Sequence, residues 1–360
     1  VVKADAYGHG AVRLAREYEA LGADWFAVSN IEEALQLRQA DIERPILVLG
    51  FTPAEEAAAL AEHRIAQCVY SSDYAAALSQ AAVRAGVTVD IHVKIDTGMS
   101  RLGFSFQDAD RDAAAVEAVA AACALPGLRA QGIFTHFAVS DGGDQGRAFT
   151  LLQFQCFQTM IARLEQRGVT FEVRHCANSA AIFDYPETRL DMVRAGVVLY
   201  GLAPSAEVKA APALAPVLSL RSVVSHVKEV PAGTTISYGR TYTAAGPRKI
   251  ATVPIGYADG YLRVLGGACV LLHGQRCPIV GRICMDQLMA DVTALDRVAV
   301  GDTVTLIGQD GGESVTADEL AALEGTINYE VVCGISKRVP RAYLRGGQVV
   351  SIYNQLLQDE

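Results

Sequence analysis

Short apolar runs alternate with amphipathic segments along the first part of the chain. The apolar runs predict strands, and the helical periodicity between them predicts helices. The predicted strands are Val1–Val2, Trp25–Ser29, Pro45–Leu49, Ala66–Tyr70, Val87–Ile95, Ala130–Phe137, Val169–Cys176 and Met192–Tyr200. Continuous apolar strands that alternate with helices are typical of a parallel sheet covered on both faces. Eight such units predict a (β/α)8 barrel of the TIM type, in the α/β class.

An open, doubly wound sheet is the competing interpretation. That fold usually carries a glycine-rich phosphate loop after its first strand. The Tyr7–Gly10 segment reads Y-G-H-G, which is not the G-x-G-x-x-G pattern. The first predicted strand, Val1–Val2, is also very short, so we expect it to be truncated and native residues to precede it.

The pattern changes near the proline-containing stretch Ala210–Pro216. Beyond it one helix is predicted, at Ala317–Leu323, and the rest reads mostly as strands. These strands are Val217–Val230, Ile250–Ile255, Cys269–Leu272, Asp302–Leu306 and Val349–Tyr353. We therefore predict a barrel domain over residues 1–214 and a mainly β domain over residues 215–360.

Composition narrows the classes of function. The net charge is −9 and there is no basic stripe, which argues against a nucleic-acid partner. No apolar stretch approaches a membrane span, so the 51% of hydrophobic residues predicts a large core and a subunit interface. The eight cysteines form no C-x-x-C pair and no signal peptide is visible, which predicts free thiols and a cytoplasmic protein.

Lys3 is the first candidate for chemistry. It ends an apolar strand at the predicted C-terminal mouth of the barrel, where such barrels place their active sites. A desolvated lysine there has a free amine for Schiff-base chemistry. On composition alone, a solvated charge near a chain end is the more common interpretation.

The residues around Lys3 resemble the cofactor-lysine motif of the alanine racemase family. Further matches follow in family order along nearly the whole chain. The matching segments are Val2–Gly10, Lys94–Gly103, Thr135–Phe137, Ala177–Ser179, Val193–Gly196, Ser237–Gly239, Gly256–Gly260, Cys284–Gln287 and Ile327–Glu330. The resemblance implies a barrel plus a C-terminal β domain, a head-to-tail homodimer, pyridoxal 5'-phosphate as cofactor and no metal.

The resemblance implies an isomerase that interconverts L-alanine and D-alanine by two-base proton transfer on a pyridoxal-phosphate aldimine. Lys3 serves one face of the substrate and Tyr238 of the partner subunit serves the other, while His136 and Arg194 support the tyrosine. A free tyrosine, with a pKa of about 10, is a poor base without such help. The alternatives are a packed core tyrosine at Tyr238 and an Arg194 that simply pairs with Asp191.

The same resemblance implies the residues that hold the cofactor. Arg194 would donate to the pyridine nitrogen, and the other implied cofactor-binding residues are Tyr7, Asn178, Ser179, Gly196, Val197 and Tyr329. Each of these alone could equally be a turn residue or a helix cap. Ala195 departs from the proline frequent in the family, but Arg194 and Gly196 are retained.

For the substrate, the resemblance implies that Arg101 and the Met285 amide bind the carboxylate. Tyr257 and Tyr329 would narrow the entrance. Lys94 matches a lysine that is often carbamylated and then pairs with the arginine. The alternative is an ordinary Lys94 paired with Asp96.

Several functions stay open beside alanine racemisation. A serine or broad-spectrum racemase of the same family is the nearest, since a pocket rejects one added hydroxyl only weakly. A related decarboxylase, a non-catalytic pyridoxal-phosphate carrier and a cofactor-free barrel are further alternatives. The sequence also leaves open whether D-alanine serves as a peptidoglycan precursor or L-alanine feeds catabolism.

Overall fold

The computed structural model describes residues 1–357, so the last three residues of the predicted second domain lie outside the described residues. The chain forms two compact units. The first comprises Val1–Ala6 and Gly10–Ala215, and the second comprises Tyr7–His9 and the described residues from Pro216 onward. The short segment Tyr7–His9 therefore belongs to the second unit although the first unit flanks it in sequence. That the units are independent domains stays a prediction.

The first unit is built on a curled parallel sheet with helical connections, which confirms the predicted barrel class. The strands are β1 (Phe26–Val28), β2 (Ile46–Val48), β3 (Ile65–Val69), β4 (Val89–Asp96), β5 (Phe104–Ser105), β6 (Leu128–Phe134) and β7 (Val173–His175). They pair in the order β1-β2-β3-β4-β6-β7, and β5 pairs with β4. The α-helices are Ala11–Ala20, Ile31–Gln39, Ala57–Glu62, Ser72–Ala85, Ala114–Cys123, Gly143–Glu165 and Ser179–Asp184.

The two ends of the predicted barrel differ from regular strands. Val2 N–H donates to the Ala27 carbonyl of β1 at 2.9 Å, so Val1–Val2 runs beside the first strand as an extended segment. The predicted strand Met192–Tyr200 is wrong, because Val197–Tyr200 forms a 3-10 helix that ends at left-handed Gly201. A short buried apolar run between glycines has no periodicity that separates a strand from a helical turn.

Strand β4 has two different faces because side chains alternate along a strand. The side chains of Val89, Ile91, Val93 and Ile95 are fully buried on one face. The other face carries a polar ladder, Asp90, His92, Lys94 and Asp96. Since His92 contacts the ring of His175 on β7, this ladder faces the barrel interior.

A left-handed turn follows Lys3 directly. Ala4, Asp5 and Ala6 have φ of 51–52° and Tyr7 has φ of 55°. Such a conformation costs an L-residue about 1–2 kcal/mol, so four in succession require support. Ala6 N–H donates to the Val2 carbonyl, and the Asp5 carboxylate accepts from Ala11 N–H at 2.7 Å. The turn therefore fixes the backbone on both sides of Lys3.

The second unit is mainly β. Its strands are β8 (Leu220–Val223), β9 (His226–Val230), β10 (Thr235–Ile236), β11 (Tyr242–Thr243), β12 (Arg248–Val253), β13 (Cys269–Leu272), β14 (Gln275–Pro278), β15 (Leu288–Asp291), β16 (Thr303–Asp310), β17 (Glu313–Val315), β18 (Arg341–Arg345) and β19 (Gln348–Tyr353). The pairs between them are antiparallel. The helices Ala317–Glu324 and Asn328–Cys333 complete it. None of the helices within residues 1–357 is both long and apolar enough to cross a membrane.

Candidate active site

Arg194 is the centre of a buried hydrogen-bond network in the first unit. Its guanidinium contacts Nδ1 of His175 at 2.9 Å and Nδ1 of His136 at 3.0 Å. It also donates to the carbonyls of Thr135 and Cys176. Burial lowers the pKa of Arg194 to about 10, which keeps the group positive at neutral pH. Asp191 pairs instead with Arg174 at 2.8 Å, so the simple Arg194–Asp191 alternative is wrong.

Four predicted site cations surround His136. Its pKa lies well below 6.5, first because of burial and then because of Arg194, Lys94, Arg101 and Lys3. The structure thus brings these predicted residues together at one end of the sheet. Gln153 fixes the loop: its side-chain oxygen accepts from Ala138 N–H at 2.9 Å, and its amide nitrogen donates to the His136 carbonyl at 3.3 Å.

Lys94 is a buried amine with an aromatic neighbour. Its Nζ lies 4.6 Å from the ring centroid of Phe134, and only 7% of the residue is exposed. Burial, with Arg194 next in size, lowers the pKa of Lys94 to about 7. No ion pair joins it to Asp96 within the described part of the chain. The surroundings of Lys94 therefore favour its uncharged amine more than water does.

The loop that carries Arg101 is held by the end of β4. The Asp96 carboxylate accepts from Gly98 N–H at 3.0 Å and from Ser100 N–H at 2.9 Å. Gly103, with φ of +131°, packs so close that a Cβ would stand 2.6 Å from the Asp96 nitrogen. Asp96 thus shapes the Arg101 loop, and it was not among the predicted site residues.

A serine hydroxyl and two backbone amides form the second part of the barrel site. Gly196 N–H donates to Ser179 Oγ at 2.9 Å, and both residues are buried. Val197 follows as the first residue of its 3-10 helix, where an amide has no carbonyl within the helix to donate to. The Asn178 side chain caps the next helix by accepting from Ala181 N–H at 3.1 Å, so it orients Ser179.

The second unit gathers three predicted residues around a concave surface. Tyr238 and Met285 line a cavity of about 420 Å³ with Ser237, Cys284, Asp286 and Gln287. Tyr257 N–H donates to the Cys284 carbonyl at 3.1 Å, which joins Tyr257 to the same segment. Gly256 permits this approach, because a Cβ there would overlap the carbonyls of Cys284 and Met285. Tyr238 and Met285 are 64% and 53% exposed.

Tyr7 and Tyr329 form a separate pair in the second unit. Their ring centroids are 5.9 Å apart. Tyr7 is buried, and burial raises its pKa to about 12, so it is a neutral hydroxyl. A Cβ on Gly8 would overlap the Val332 carbonyl, which explains a glycine directly after Tyr7.

The prediction missed His92 and His175, which continue the Arg194 network into the barrel. Both residues are fully buried. The alternation within Val89–Asp96 is a signal that could have found His92, because His92 shares a face with Lys94. His175 ends its strand directly before Cys176 and carried no separate sequence signal.

Comparisons with known proteins agree over nearly the whole chain. The family model described as "Alanine racemase, N-terminal domain" matches residues 1–204, and the model described as "Alanine racemase, C-terminal domain" matches residues 217–343. An alanine racemase of Desulfovibrio desulfuricans is 50% identical over 96% of this chain and 90% of that protein. One of Methanococcus maripaludis is 47% identical over 96% of this chain and 91% of its own.

Solved structures give the same result. The alanine racemase of Clostridium difficile 630 superposes with a TM-score of 0.93 at 42% identity, over 99% of this chain and 91% of that one. The alanine racemase of Bacillus anthracis with bound L-Ala-P has a TM-score of 0.89 at 39% identity, over 99% and 90%.

Proposed function

The chain belongs to the alanine racemase family and has that family's activity, the interconversion of L-alanine and D-alanine, and we propose that Lys3 and Tyr238 are its two bases. The relatives reported above are named alanine racemases, which favours alanine over a serine or broad-spectrum substrate. The observation that supports the assignment of the barrel residues most directly is the buried Arg194 cation, bonded to His136 in the region of Lys3.

The family uses pyridoxal phosphate, and the donors of the first unit fit this group. Ser179 Oγ accepts from Gly196 N–H at 2.9 Å and keeps its own hydroxyl proton, so Ser179 and the Val197 amide offer neutral donors to a phosphate beside Gly196. Arg194 is a fixed donor that suits an unprotonated pyridine nitrogen, and Lys3 offers the amine. We therefore assign the cofactor to Lys3, Ser179, Arg194, Gly196 and Val197. Asn178 acts through the helix cap that orients Ser179.

When bound, pyridoxal phosphate supplies an electron sink for the electron pair that remains after the Cα proton leaves. The chain's own residues must then move that proton. Lys3 Nζ would accept or return it on one face, and the Tyr238 hydroxyl of a second copy on the opposite face. Arg194 cannot take part as an acid at neutral pH, so its role is to orient and to donate hydrogen bonds. Two separate bases explain how the proton returns on the other face.

Substrate binding follows from charge. Arg101 would hold the substrate carboxylate, and the Met285 amide of the second copy would donate to it. Tyr257 and Tyr329 would limit the side chain to a small one. Tyr7, a buried neutral hydroxyl, would donate to the phosphate together with Tyr329.

Lys94 would be carbamylated. Its neutral amine attacks CO2: an N–C bond forms, one C=O π pair moves onto oxygen and one proton leaves the nitrogen, which turns a neutral amine into an anion. The lowered pKa of Lys94, about 7, supplies the neutral amine that this step needs. The burial cost of an ammonium beside Arg194 is then replaced by an attraction to Arg194 and Arg101.

A homodimer would complete each site. Tyr238 and Met285 are too exposed for residues that act in a dry site, which supports their burial against a second copy. The eight free cysteines fit the reducing conditions of the cytoplasm, which is the compartment we propose.

Borohydride reduction tests the assignment of Lys3. The reduced wild-type protein should carry the cofactor on the peptide that contains Lys3, by mass spectrometry. Lys3→Ala should lose the adduct and at least about 10⁴-fold of the racemisation rate, the upper range for one acid–base group. Lys228→Ala, at an exposed position of β9, is the matched control and should keep both. An adduct on another lysine would overturn the assignment.

A further inference from the structure

A chain of polar side chains runs through the first unit away from Arg194. Arg194 Nη1 lies 2.9 Å from Nδ1 of His175, and Nε2 of His175 lies 2.9 Å from Nδ1 of His92. His175 and His92 are fully buried, and their strands β7 and β4 lie on either side of β6. His92 makes no contact with the cofactor donors Ser179 and Gly196 among the described hydrogen bonds, so it belongs to none of the roles assigned above.

The direction of each hydrogen bond follows from the arginine. A guanidinium only donates, so Nδ1 of His175 must accept and carries no proton. The proton of neutral His175 is then on Nε2, and it is donated to Nδ1 of His92. Neutral His92 in turn carries its proton on Nε2. One arginine therefore determines the tautomers of two histidines.

We propose that His92 is a positioning residue for racemisation: by accepting the Nε2 proton of His175, it fixes the His175 tautomer and thereby the orientation of the Arg194 guanidinium. The inference rests on the proposed role of Arg194 at the cofactor. A flipped or protonated His175 would present N–H to N–H, and Arg194 would lose one of the contacts that hold its plane.

The end of this row of side chains that lies farthest from Arg194 has the matching order of donors and acceptors. His92 Nε2 makes no hydrogen bond of normal geometry within the described residues, but Gln131 lies close enough to act on its pKa. The Gln131 amide nitrogen points to a Glu172 carboxylate oxygen at 3.4 Å, which leaves the amide oxygen as an acceptor. Gln131 and Trp25 line a cavity of about 230 Å³, and Trp25 packs edge-on to His92. The N–H donors of His175, His92 and Gln131 thus all point away from Arg194 and toward the Glu172 carboxylate.

The surrounding backbone and rings leave the two imidazoles little freedom. The His175 ring stacks on Phe134 with centroids 4.7 Å apart and planes 5° apart. A Cβ placed on Gly132 of β6 would overlap Nδ1 and Cε1 of His92. The pairing of β6 with β4 shifts register between Ile91 and His92, next to the ring. Gly132 is thus the residue that makes room for His92.

Burial supports the neutral forms. It lowers the pKa of His92 to about 4 despite the contribution of Gln131 and the more distant Asp90. Burial and then Arg194 hold the pKa of His175 well below 6.5, with smaller effects of His92 and Lys94. Between pH 6 and 8 both rings are therefore neutral.

Two substitutions at one position test the role. Asparagine places its side-chain oxygen near the site of imidazole Nδ1 and can accept from His175, whereas phenylalanine cannot. His92→Phe should lower kcat about ten-fold with a KM for alanine close to wild type, as expected for one lost buried hydrogen bond. His92→Asn should restore most of kcat. The visible spectrum of the bound cofactor should shift in His92→Phe and not in His92→Asn. Only phenylalanine leaves the Nε2–H of His175 without an acceptor, which lets His175 and then Arg194 reorient.

A third variant and a direct measurement keep the inference testable if His92→Phe fails to fold. Gly132→Ala keeps every polar group but displaces the His92 ring, and should lower kcat like His92→Phe. Nitrogen NMR of wild-type protein labelled at its seven histidines should find the proton of His92 and of His175 on Nε2 at pH 7. A proton on Nδ1 of either ring, or equal kcat in His92→Phe and His92→Asn, would overturn the inference. If wild type forms no Lys3 adduct, the proposed function fails instead, and the tautomers still decide this inference.

Discussion

The two units hold their predicted site residues in opposite states of solvation. In the first unit Arg194 and Lys94 are each 7% exposed, whereas Tyr238 and Met285 of the second are 64% and 53% exposed. The described hydrogen-bond partners of Arg194 lie within its own unit, on or beside β6 and β7. The buried Arg194 is thus hydrogen-bonded within one chain, while the proposed role of Tyr238 requires that a second copy cover it.

This difference in burial predicts which site residues contribute to folding stability as well as to activity. Side chains of the barrel network take part in both, because removing one leaves buried polar partners unsatisfied. The exposed residues of the second unit contribute little to the stability of a single chain. Substitutions in the two units should therefore have different profiles of activity and unfolding free energy.

Tyr238→Phe should show the largest separation of the two properties. We expect racemisation to fall by about 10²–10⁴-fold, because one proton donor and acceptor is lost. The unfolding free energy should change by less than about 0.5 kcal/mol, as at other surface positions. Cα proton exchange, followed by NMR in deuterated water, should fall selectively for one enantiomer of alanine. Equal loss for both enantiomers would indicate a single base.

Mixing two inactive variants should recover activity if the second unit completes a site on another chain. Lys3→Ala and Tyr238→Phe are mixed under conditions that exchange subunits, and exchange is verified by mass. About a quarter of wild-type activity should return, since half of the dimers are mixed and one of their two sites is intact. Mixing Lys3→Ala with itself is the control. Verified exchange without activity would place both bases in one chain.

Arg194→Met tests whether a buried site residue of the barrel contributes to folding stability as well as to activity. It leaves the carbonyls of Thr135 and Cys176 and Nδ1 of His175 without their donor. We expect a loss of roughly 3 kcal/mol of unfolding free energy in denaturant titrations, together with loss of activity. Arg174→Ala, which breaks the partly exposed pair with Asp191, is the control and should cost less than about 1 kcal/mol. Similar losses in both would mean that the burial of Arg194 adds nothing to the stability of the first unit.

The alternation of apolar runs and helices was sufficient to predict the barrel. Cys269–Leu272 has the predicted bounds, because glycines stand just before it at Gly267 and just after it at Gly274. The apolar run Val197–Tyr200 had no such internal signal and was wrongly predicted as a strand. The left-handed turn after Lys3 could not be predicted from local preference, because Ala4 and Ala6 favour right-handed conformations and the turn is supported by contacts such as those with Val2 and Ala11.

The site was predictable where motifs carry chemistry and not where a residue acts through another. Lys3, Arg101 and Arg194 belong to the matching segments, and the first unit brings them around His136. Gln153, which fixes the His136 loop, lies within a long helix and resembles any polar helix residue in sequence. Its role depends on a contact between residues distant in sequence, which no local pattern encodes.

The carbamylation of Lys94 should have the smallest effect on activity. It sharpens the comparison between buried and exposed site residues, because this reaction depends on the burial of Lys94. Its lowered pKa, about 7 instead of 10.5, means that the neutral amine needed for carbamylation accumulates as pH rises through 7 and is lost below it. Protein stripped of CO2 at pH 6 should bind alanine roughly two- to five-fold more weakly, the size of one ion pair with the exposed Arg101. Added bicarbonate should restore the KM with a midpoint near pH 7. Lys94→Met should show no response to bicarbonate, whereas Lys249→Met in the second unit should respond like wild type. A wild-type KM that ignores bicarbonate at every pH would mean that Lys94 acts as a plain amine.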